Sequence, residues 1–156
     1  MKIRKNVEIR KSIQADILPI AQRMRAADAK GVYDSHRLSP CQALLIGMKA
    51  RGNCWTILGD GIPEGMVGII PMSLFSDRGL PWMLGTDVLV EDKTLFIRLT
   101  RKLFEDAVDG FNYLENYIST ENKIALRWVE SMGFNIEDVP VVLNGVPFKR
   151  VYKELN

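Results

Sequence analysis

The sequence has few of the residues on which metal and thiol chemistry depend. It contains one histidine, His36, and two well-separated cysteines, Cys41 and Cys54. A structural zinc ion needs about four clustered histidine or cysteine ligands, so an ordinary zinc site is excluded and we expect no bound metal. Both cysteines lie among apolar residues, which predicts buried free thiols rather than a disulfide or a nucleophile.

Long apolar runs and glycine-rich phosphate motifs are also missing. No stretch approaches the roughly 20 apolar residues of a membrane span, and no charged start precedes an apolar segment as in a signal peptide. The glycine patterns of kinases, P-loop proteins and dinucleotide folds are absent. We therefore expect a cytoplasmic protein without a membrane partner.

Neither sign of charge dominates, since 21 lysines and arginines face 19 aspartates and glutamates. This balance argues against a dedicated nucleic-acid-binding protein with a strongly basic face. The first eleven residues are locally basic, which predicts a terminus and the polar face of a first strand; an arm for an acidic partner is the alternative. These residues are Lys2, Arg4, Lys5, Arg10 and Lys11. The chain length predicts one domain over residues 1–156.

Apolar spacing in the first half predicts a strand, two helices and three strands. The first helix begins near Asp16 and fades by Gly31, and the polar segment 32–38 is predicted to be a loop. Ser39-Pro40 begins the second helix, because serine caps and proline suits the first helical position, and Gly52 ends it. The strands are predicted at residues 7–13, 55–58, 66–70 and 82–90, with a tight hairpin at 59–63.

The second half centres on residues 111–134, FNYLENYISTENKIALRWVESMGF. Branched and aromatic residues predict a strand over 113–119, and Ser119 or Thr120 can cap the following helix. Gly133 can end that helix in a left-handed conformation. Another helix, capped by Asp92, precedes this stretch, and Asn144-Gly145 predicts a hairpin between strands 139–143 and 146–152.

The series Asn122, Ala125, Trp128 and Gly133-Phe134 resembles the last helix of the GNAT (GCN5-related N-acetyltransferase) fold. Three segments are similar to a phage-encoded GNAT-like branch, the internal-virion or morphogenesis proteins of podophages. They are PMSLFSDRGLPWMLGTD (71–87), ENKIALRWVESMGF (121–134) and GVPFKRVYKEL (145–155). The resemblance implies an α+β fold with a mixed, mostly antiparallel sheet flanked by helices, in the order β-α-α-β-β-β-α-β-α-β-β.

The resemblance also implies a site for acetyl-CoA where the fourth and fifth strands splay apart. The backbone of Leu89 and Val90 would pair with the pantetheine arm. Asn122 would contact the arm, and capping of the helix by its side chain is the alternative. The pyrophosphate would lie on the next helix N-terminus, where N–H groups and the helix dipole favour anions. Its residues are Lys93, Thr94 and Leu95. Asp87 would deprotonate the acceptor amine, with Glu64 a lesser candidate.

Two departures from the family pattern weaken this expectation. The segment EDKTL (91–95) has no glycine, and Glu91 and Asp92 place negative charge beside a proposed anion site. Val129 occupies the position where a tyrosine often protonates the departing thiolate, which leaves Tyr113 and Tyr117 as substitutes.

Asp34, Ser35 and His36 have triad residue types, but sequence neighbours rarely point at one another.

Two functions therefore stay open at the level of sequence. The first is transfer of an acetyl group from acetyl-CoA to an amine in the host cytoplasm. The second is a non-catalytic GNAT-fold protein that acts in virion assembly or binds a host protein. Fold alone does not decide between them.

Overall fold

The computed structural model describes residues 6–50 and 53–155. The basic residues Lys2, Arg4 and Lys5, and the helix end predicted at Gly52, lie outside the described residues. Within the described ranges the strands are β1 Val7–Lys11, β2 Cys54–Gly59, β3 Ile62–Pro71, β4 Arg78–Gly85, β5 Tyr113–Ser119, β6 Asn135–Ile136, β7 Val141–Leu143 and β8 Val146–Glu154. The helices are α1 Ile17–Gln22, α2 Ala26–His36, α3 Pro40–Lys49, α4 Lys93–Ala107 and α5 Lys123–Ser131. Short 3₁₀ turns cover Gln14–Asp16 and Asp87–Val90.

The strands form one mixed sheet in the order β1-β2-β3-β4-β5-β8-β6, with β7 also paired to β8. Among the described residues, the β4–β5 pair is parallel and the other pairs are antiparallel. The parallel pairing involves Arg78 with Tyr113 and Gly79 with Leu114, after which the strands diverge. This confirms the predicted α+β class and mostly antiparallel sheet.

Helices cover both faces of the sheet. Successive strand residues point to opposite sides, and here both sides carry apolar side chains that need to be buried. Val67 and Met83 face α4 and α5, whereas Met66 and Trp82 face α1 and α3. Trp128 of α5 packs against Phe96 and Phe104 of α4, with ring centroids 6.3 Å and 5.6 Å away. Its indole Nε1 donates to Thr100 Oγ1 at 2.9 Å, so Trp128 is a core residue with a satisfied polar atom.

Several local signals act as the sequence predicts. Ser39 Oγ accepts a hydrogen bond from the backbone N–H of Gln42, and Gln42 Oε1 accepts one from the Ser39 N–H, which completes a capping box. Asn144-Gly145 has positive φ angles of 50° and 81°, as a type I′ hairpin turn requires. Gly133 ends α5 at φ 87°. The α5 cap is Asn122 rather than Ser119 or Thr120, since its side chain accepts from Ala125 N–H.

The helical region before β2 differs from the prediction. The predicted first helix is divided at residues 23–25, where Arg25 N–H bonds to Gly85 O at 2.8 Å and Met24 bridges Thr86. The chain then forms α2 through residue 36, although 32–38 was predicted to be a loop. The buried face of α2 contains Asp28 and Asp34, which are paired with Arg25 and Lys30. A search for apolar spacing therefore misses this helix, because two of its buried positions are charged.

The end of β4 is a second correction. The strand was predicted to run over 82–90, but it begins at Arg78 and ends at Gly85, and Asp87–Val90 forms a 3₁₀ turn. Thr86 fixes this change of direction, because its N–H bonds to Glu64 O at 2.9 Å and its hydroxyl to Glu64 Oε1 at 2.6 Å. The short β6 was also not predicted.

Cys54 is buried as expected, whereas Cys41, near the start of α3, is exposed.

Candidate active site

A cavity of about 480 Å³ opens where β4 and β5 diverge. Residues 81–84 of β4 and 116–119 of β5 form its centre, and α2, α3, the start of α5 and the β7–β8 hairpin complete it. Most of the lining is apolar, including Val32, Ile70, Leu80, Trp82 and Phe148. The exposed members His36 and Ile46 mark its open end, whereas the buried Asp28 and Asn122 mark its inner end.

The backbone of β4 presents alternate residues to this gap. Arg78 O and Thr86 N–H bond toward β3, so the odd-numbered residues between them face β5. Pro81 has no N–H, and its carbonyl accepts from Asn116 Nδ2 at 2.6 Å. The N–H of Gly85 donates to Asp28 Oδ2 of α2, and its carbonyl accepts from Arg25 N–H just before α2. Met83 lies between them, and its N–H and C=O therefore point into the cavity.

A buried ion pair crosses the inner end of the cavity. Arg25 Nη1 donates to Asp28 Oδ1 at 2.8 Å, and the two residues are 6% and 4% exposed. Gly85 N–H donates to Asp28 Oδ2 at 3.0 Å, and Asn122 Nδ2 donates to Oδ1 at 3.3 Å. Burial raises the pKa of Asp28, while the Arg25 charge and these donors oppose that rise. One carboxylate thus joins α2, β4 and α5.

Asn122 has two roles in this arrangement. Its Oδ1 caps α5 by accepting from Ala125 N–H at 3.2 Å, and its Nδ2 contacts Asp28. It also lines the cavity, so capping and exposure to a bound molecule are compatible here. A capping side chain is held in a fixed rotamer by the helix it caps, which makes Asn122 a preorganised polar group.

The N-terminus of α4 already holds a carboxylate. Asp92 Oδ1 accepts a hydrogen bond from Leu95 N–H at 3.2 Å, which is the position an anion would take at a helix start. Lys93 and Thr94 are exposed on the first turn. Together with Leu95 they lie outside the cavity lining.

The other residues singled out from the sequence are dispersed around the end of β4. Asp87 is exposed on the 3₁₀ turn and does not line the cavity. Leu89 and Val90 are buried in the α4 core rather than in an extended strand. Glu64 is buried and bonds to Thr86 and Arg23. The structure therefore places Asn122 in the cavity lining and the remaining predicted site residues outside that lining.

Sequence reasoning missed a contact between Ser35 and His36 at the cavity entrance. Ser35 Oγ lies 2.7 Å from His36 Nδ1 and donates to Gly31 O at 2.8 Å. The expectation that these neighbours do not point at one another is therefore wrong for this pair, although Asp34 turns away and bonds to Lys30. Asp28 and Ser35 are seven residues apart, which puts them on one face once the segment is known to be helical.

Tyr117 also lines the cavity, whereas Tyr113 is held in a surface network with Glu115 and Arg150. Burial is the main cause that raises the pKa of Tyr113, and its bond to Glu115 adds to it. Of the two tyrosines considered as proton donors, Tyr117 is the one that a molecule in the cavity would meet.

In the part of the chain that the structure describes, no cluster of three or more histidine, cysteine or acidic residues could hold a metal. The helices within these same ranges include none with the length and apolar character to cross a membrane.

Comparison with solved structures identifies the fold. No protein-family model and no curated protein matches this chain. YncA from Salmonella typhimurium, solved with its cofactor acetyl-CoA, is 16% identical with a TM-score of 0.73, over 97% of this chain and 95% of that one. A GCN5-related N-acetyltransferase from Kribbella flavida is 17% identical with a TM-score of 0.69, over 96% and 98%.

A third similar structure is an aminoglycoside acetyltransferase, AAC(6')-Ib, in complex with ribostamycin and coenzyme A. It is 15% identical with a TM-score of 0.69, and the match covers 96% of this chain and 94% of that one. The protein therefore has the GNAT fold, as its last helix indicated. At these identities the similarity establishes the fold alone.

Proposed function

We propose that the protein is an N-acetyltransferase that moves an acetyl group from acetyl-CoA to an amine. The observation that supports this most is the cavity between the diverging ends of β4 and β5. Structures with the same fold have been solved with acetyl-CoA or coenzyme A bound. A volume of about 480 Å³ suits a small-molecule site.

In this proposal the cavity holds the pantetheine arm and the thioester. Met83 N–H is directed into the gap and would donate to the thioester or an arm carbonyl, whereas the family resemblance implied pantetheine pairing by the backbone of Leu89 and Val90. Asn122 would contact the arm from α5. Tyr117 would protonate the departing thiolate in place of a tyrosine at Val129. The pyrophosphate would lie at Lys93, Thr94 and Leu95, the first turn of α4.

Asp87, which the family resemblance implied as the general base, is poorly placed for that role. A base must come within hydrogen-bond reach of the proton that it removes. Asp87 is exposed and outside the cavity, and would act only on an amine bound beyond the end of β4. Asp28 lines the cavity, but both of its oxygens already accept hydrogen bonds.

A second function is favoured by a specific set of contacts. Three protein groups occupy positions that the cofactor would use: Asp28 on Gly85 N–H, Asn116 on Pro81 O and Asp92 on Leu95 N–H. A protein that never binds acetyl-CoA has no need to keep these positions open. The second proposal is therefore a non-catalytic protein that acts in virion assembly or binds a host protein.

Phage origin belongs to both proposals and is supported by the sequence resemblance of residues 71–87, 121–134 and 145–155. A phage protein would work in the host cytoplasm, in the particle, or in both. Mass spectrometry of purified particles tests the virion role: a protein that is absent from particles and captures no host protein would contradict the second proposal.

Calorimetry with acetyl-CoA separates the two functions. Ala43 lines the cavity and its neighbour Cys41 is exposed outside it, so Ala43→Phe fills the cavity and Cys41→Phe is a matched control. We expect the native protein and Cys41→Phe to bind acetyl-CoA and Ala43→Phe to lose binding. No heat and no thermal shift for the native protein at millimolar acetyl-CoA would contradict the acetyltransferase and favour the second proposal.

A further inference from the structure

We propose that His36 is the general base for the acceptor amine, and that Ser35 holds it in the tautomer that leaves Nε2 able to accept a proton. This inference rests on the proposed acetyltransferase function. His36 is the last residue of α2, is exposed, and lines the open end of the cavity. It is the only histidine in the sequence.

The tautomer follows from counting protons on the serine hydroxyl. Ser35 Oγ has one hydrogen and donates it to Gly31 O at 2.8 Å. With that hydrogen used for Gly31, the 2.7 Å contact between Ser35 Oγ and His36 Nδ1 is a hydrogen bond in the tautomer that carries a hydrogen on Nδ1, and our proposal assigns this tautomer. The neutral ring is therefore protonated on Nδ1, and Nε2 has the free lone pair. Fixing one ring nitrogen through its partner is the usual way in which proteins set the function of the other.

The end of α2 is anchored so that this pair keeps its position. Asn144 Nδ2, at the tip of the β7–β8 hairpin, donates to Asp34 O at 2.9 Å and to Ser35 O at 3.2 Å. Arg37 follows with φ 57°, which ends the helix in a left-handed residue. Leu143 of the same hairpin lines the cavity, so the contact that anchors α2 also shapes the entrance.

The position of His36 suits proton removal better than that of either carboxylate. Asp28 is buried at the inner end with its oxygens engaged, and Asp87 is outside the cavity. His36 combines contact with the cavity and exposure to solvent, so it can take a proton from a bound molecule and pass it to water. The apolar Ile46 and Leu143 share this entrance, which fits a primary alkylamine with an apolar flank.

The proton and bond changes balance without a further reactant. His36 Nε2 takes one proton from the alkylammonium, and the neutral nitrogen attacks the thioester carbonyl carbon. A C–N bond forms and the C–S bond breaks. Tyr117 gives its hydroxyl proton to the departing thiolate, and a second proton from nitrogen restores the Tyr117 hydroxyl. The imidazolium then releases its proton to water, and the products are an amide, the CoA thiol and one proton.

Nitrogen-15 NMR tests the tautomer directly, since a single histidine gives one set of ring signals. We expect the neutral ring of the native protein to be protonated on Nδ1. We expect Ser35→Ala to shift the population toward the Nε2–H form, because the acceptor for Nδ1–H is removed. A native ring protonated on Nε2 would overturn the inference without any assay of activity.

Kinetics with two kinds of amine test the base. His36→Asn keeps a donor near Ser35 but has no basic nitrogen, and Tyr33→Phe is a control on the exposed face of the same helix. With n-butylamine at neutral pH we expect His36→Asn to lower kcat/KM by about 100-fold, as for loss of a general base, with acetyl-CoA affinity unchanged. With aniline, which is uncharged at this pH, the loss should be much smaller.

The outcomes distinguish failure of the base from failure of the function. A native protein that acetylates n-butylamine while His36→Asn keeps more than half of that activity would overturn the inference and leave the acetyltransferase standing. Equal losses with both amines would also overturn it, since a structural defect affects both. A native protein that binds no acetyl-CoA would overturn the proposed function, and the inference with it.

Discussion

The Asp28 carboxylate and the backbone N–H of Gly85 are joined by a 3.0 Å hydrogen bond that ties α2 to the end of β4. Asp28 is 4% exposed and is paired with Arg25, so its removal would leave a buried guanidinium without a counter-ion. We expect Asp28→Ala to lower the free energy of unfolding by about 3 kcal/mol, measured by urea denaturation. Asp34→Ala is the control, since Asp34 pairs with the largely exposed Lys30, and a clearly smaller loss is expected. Equal losses would mean that the Asp28 contacts do not stabilise the junction.

The Asp92 carboxylate at the start of α4 should weaken anion binding there. Asp92→Ala removes the cap, so we expect the free energy of unfolding to fall by about 1 kcal/mol. Affinity for acetyl-CoA should nevertheless rise, by about fivefold, because a like charge is removed from the anion site. Glu91→Gln controls for charge alone, since Glu91 is exposed and does not cap the helix. Unchanged calorimetric affinity in Asp92→Ala would place the pyrophosphate elsewhere.

Gly47 of α3 lies directly against the Trp82 ring, which lines the cavity. A Cβ at residue 47 would overlap ring atoms of Trp82, so Gly47→Ala forces the indole to move. We expect a loss of about 1–3 kcal/mol in the free energy of unfolding, as for overpacked cores. Gly31→Ala in α2 is a matched control with no atom within 4 Å of the new Cβ, and should stabilise by about 0.5–1 kcal/mol. Thermal denaturation that shifts both variants equally would contradict this packing.

The two cysteines should differ in reactivity toward a thiol reagent. Burial raises the pKa of the Cys54 thiol to about 11, so it stays protonated at neutral pH, whereas Cys41 is exposed. We expect one thiol per native chain to react quickly and the second to react after unfolding. Cys41→Ser should abolish the fast reaction, and a fast reaction that persists in this variant would contradict the burial of Cys54.

Asp16 should stabilise the protein in a pH-dependent way. Burial raises its pKa, but hydrogen bonds from Arg10, Ile13 N–H and Thr56 outweigh burial, and the net pKa is lowered. A lowered pKa in the folded state means that the contribution is present above the unfolded-state pKa and is lost as pH falls through the folded-state value. The stability difference between native protein and Asp16→Asn should therefore be largest near pH 7 and shrink below about pH 4. A difference that stays constant or grows on acidification would contradict this assignment.

Short-range signals in the sequence were sufficient for much of the architecture. Ser39 with Gln42, Asp92 with Leu95 and the Asn144-Gly145 turn each act within a few residues. Such contacts are encoded locally, because the partner is always close along the chain. The resemblance to the last helix of the GNAT fold was also local, since the residues that carry it, Asn122, Ala125, Trp128 and Gly133-Phe134, lie within one short segment.

The candidate site depended on contacts that no local pattern contains. Arg25 and Asp28 look like ordinary polar residues of a loop or an exposed helix, yet they are buried against Gly85 and Asn122. The end of β4 likewise depends on Glu64, which redirects the chain at Thr86. His36 became a candidate once α2 extended to it and Asn144 anchored its end.

The sequence by itself determined the caps of α3 and α4, the Asn144-Gly145 hairpin turn and the buried face of α5, and its resemblance to the last GNAT helix indicated the fold. The tertiary structure decided where β4 ends, which polar groups close the inner end of the cavity, and which side chain is presented at its entrance. The reason is that caps and turns are stabilised by contacts between residues close in sequence. A buried ion pair or a shared cavity, in contrast, exists only after segments distant in sequence have packed together.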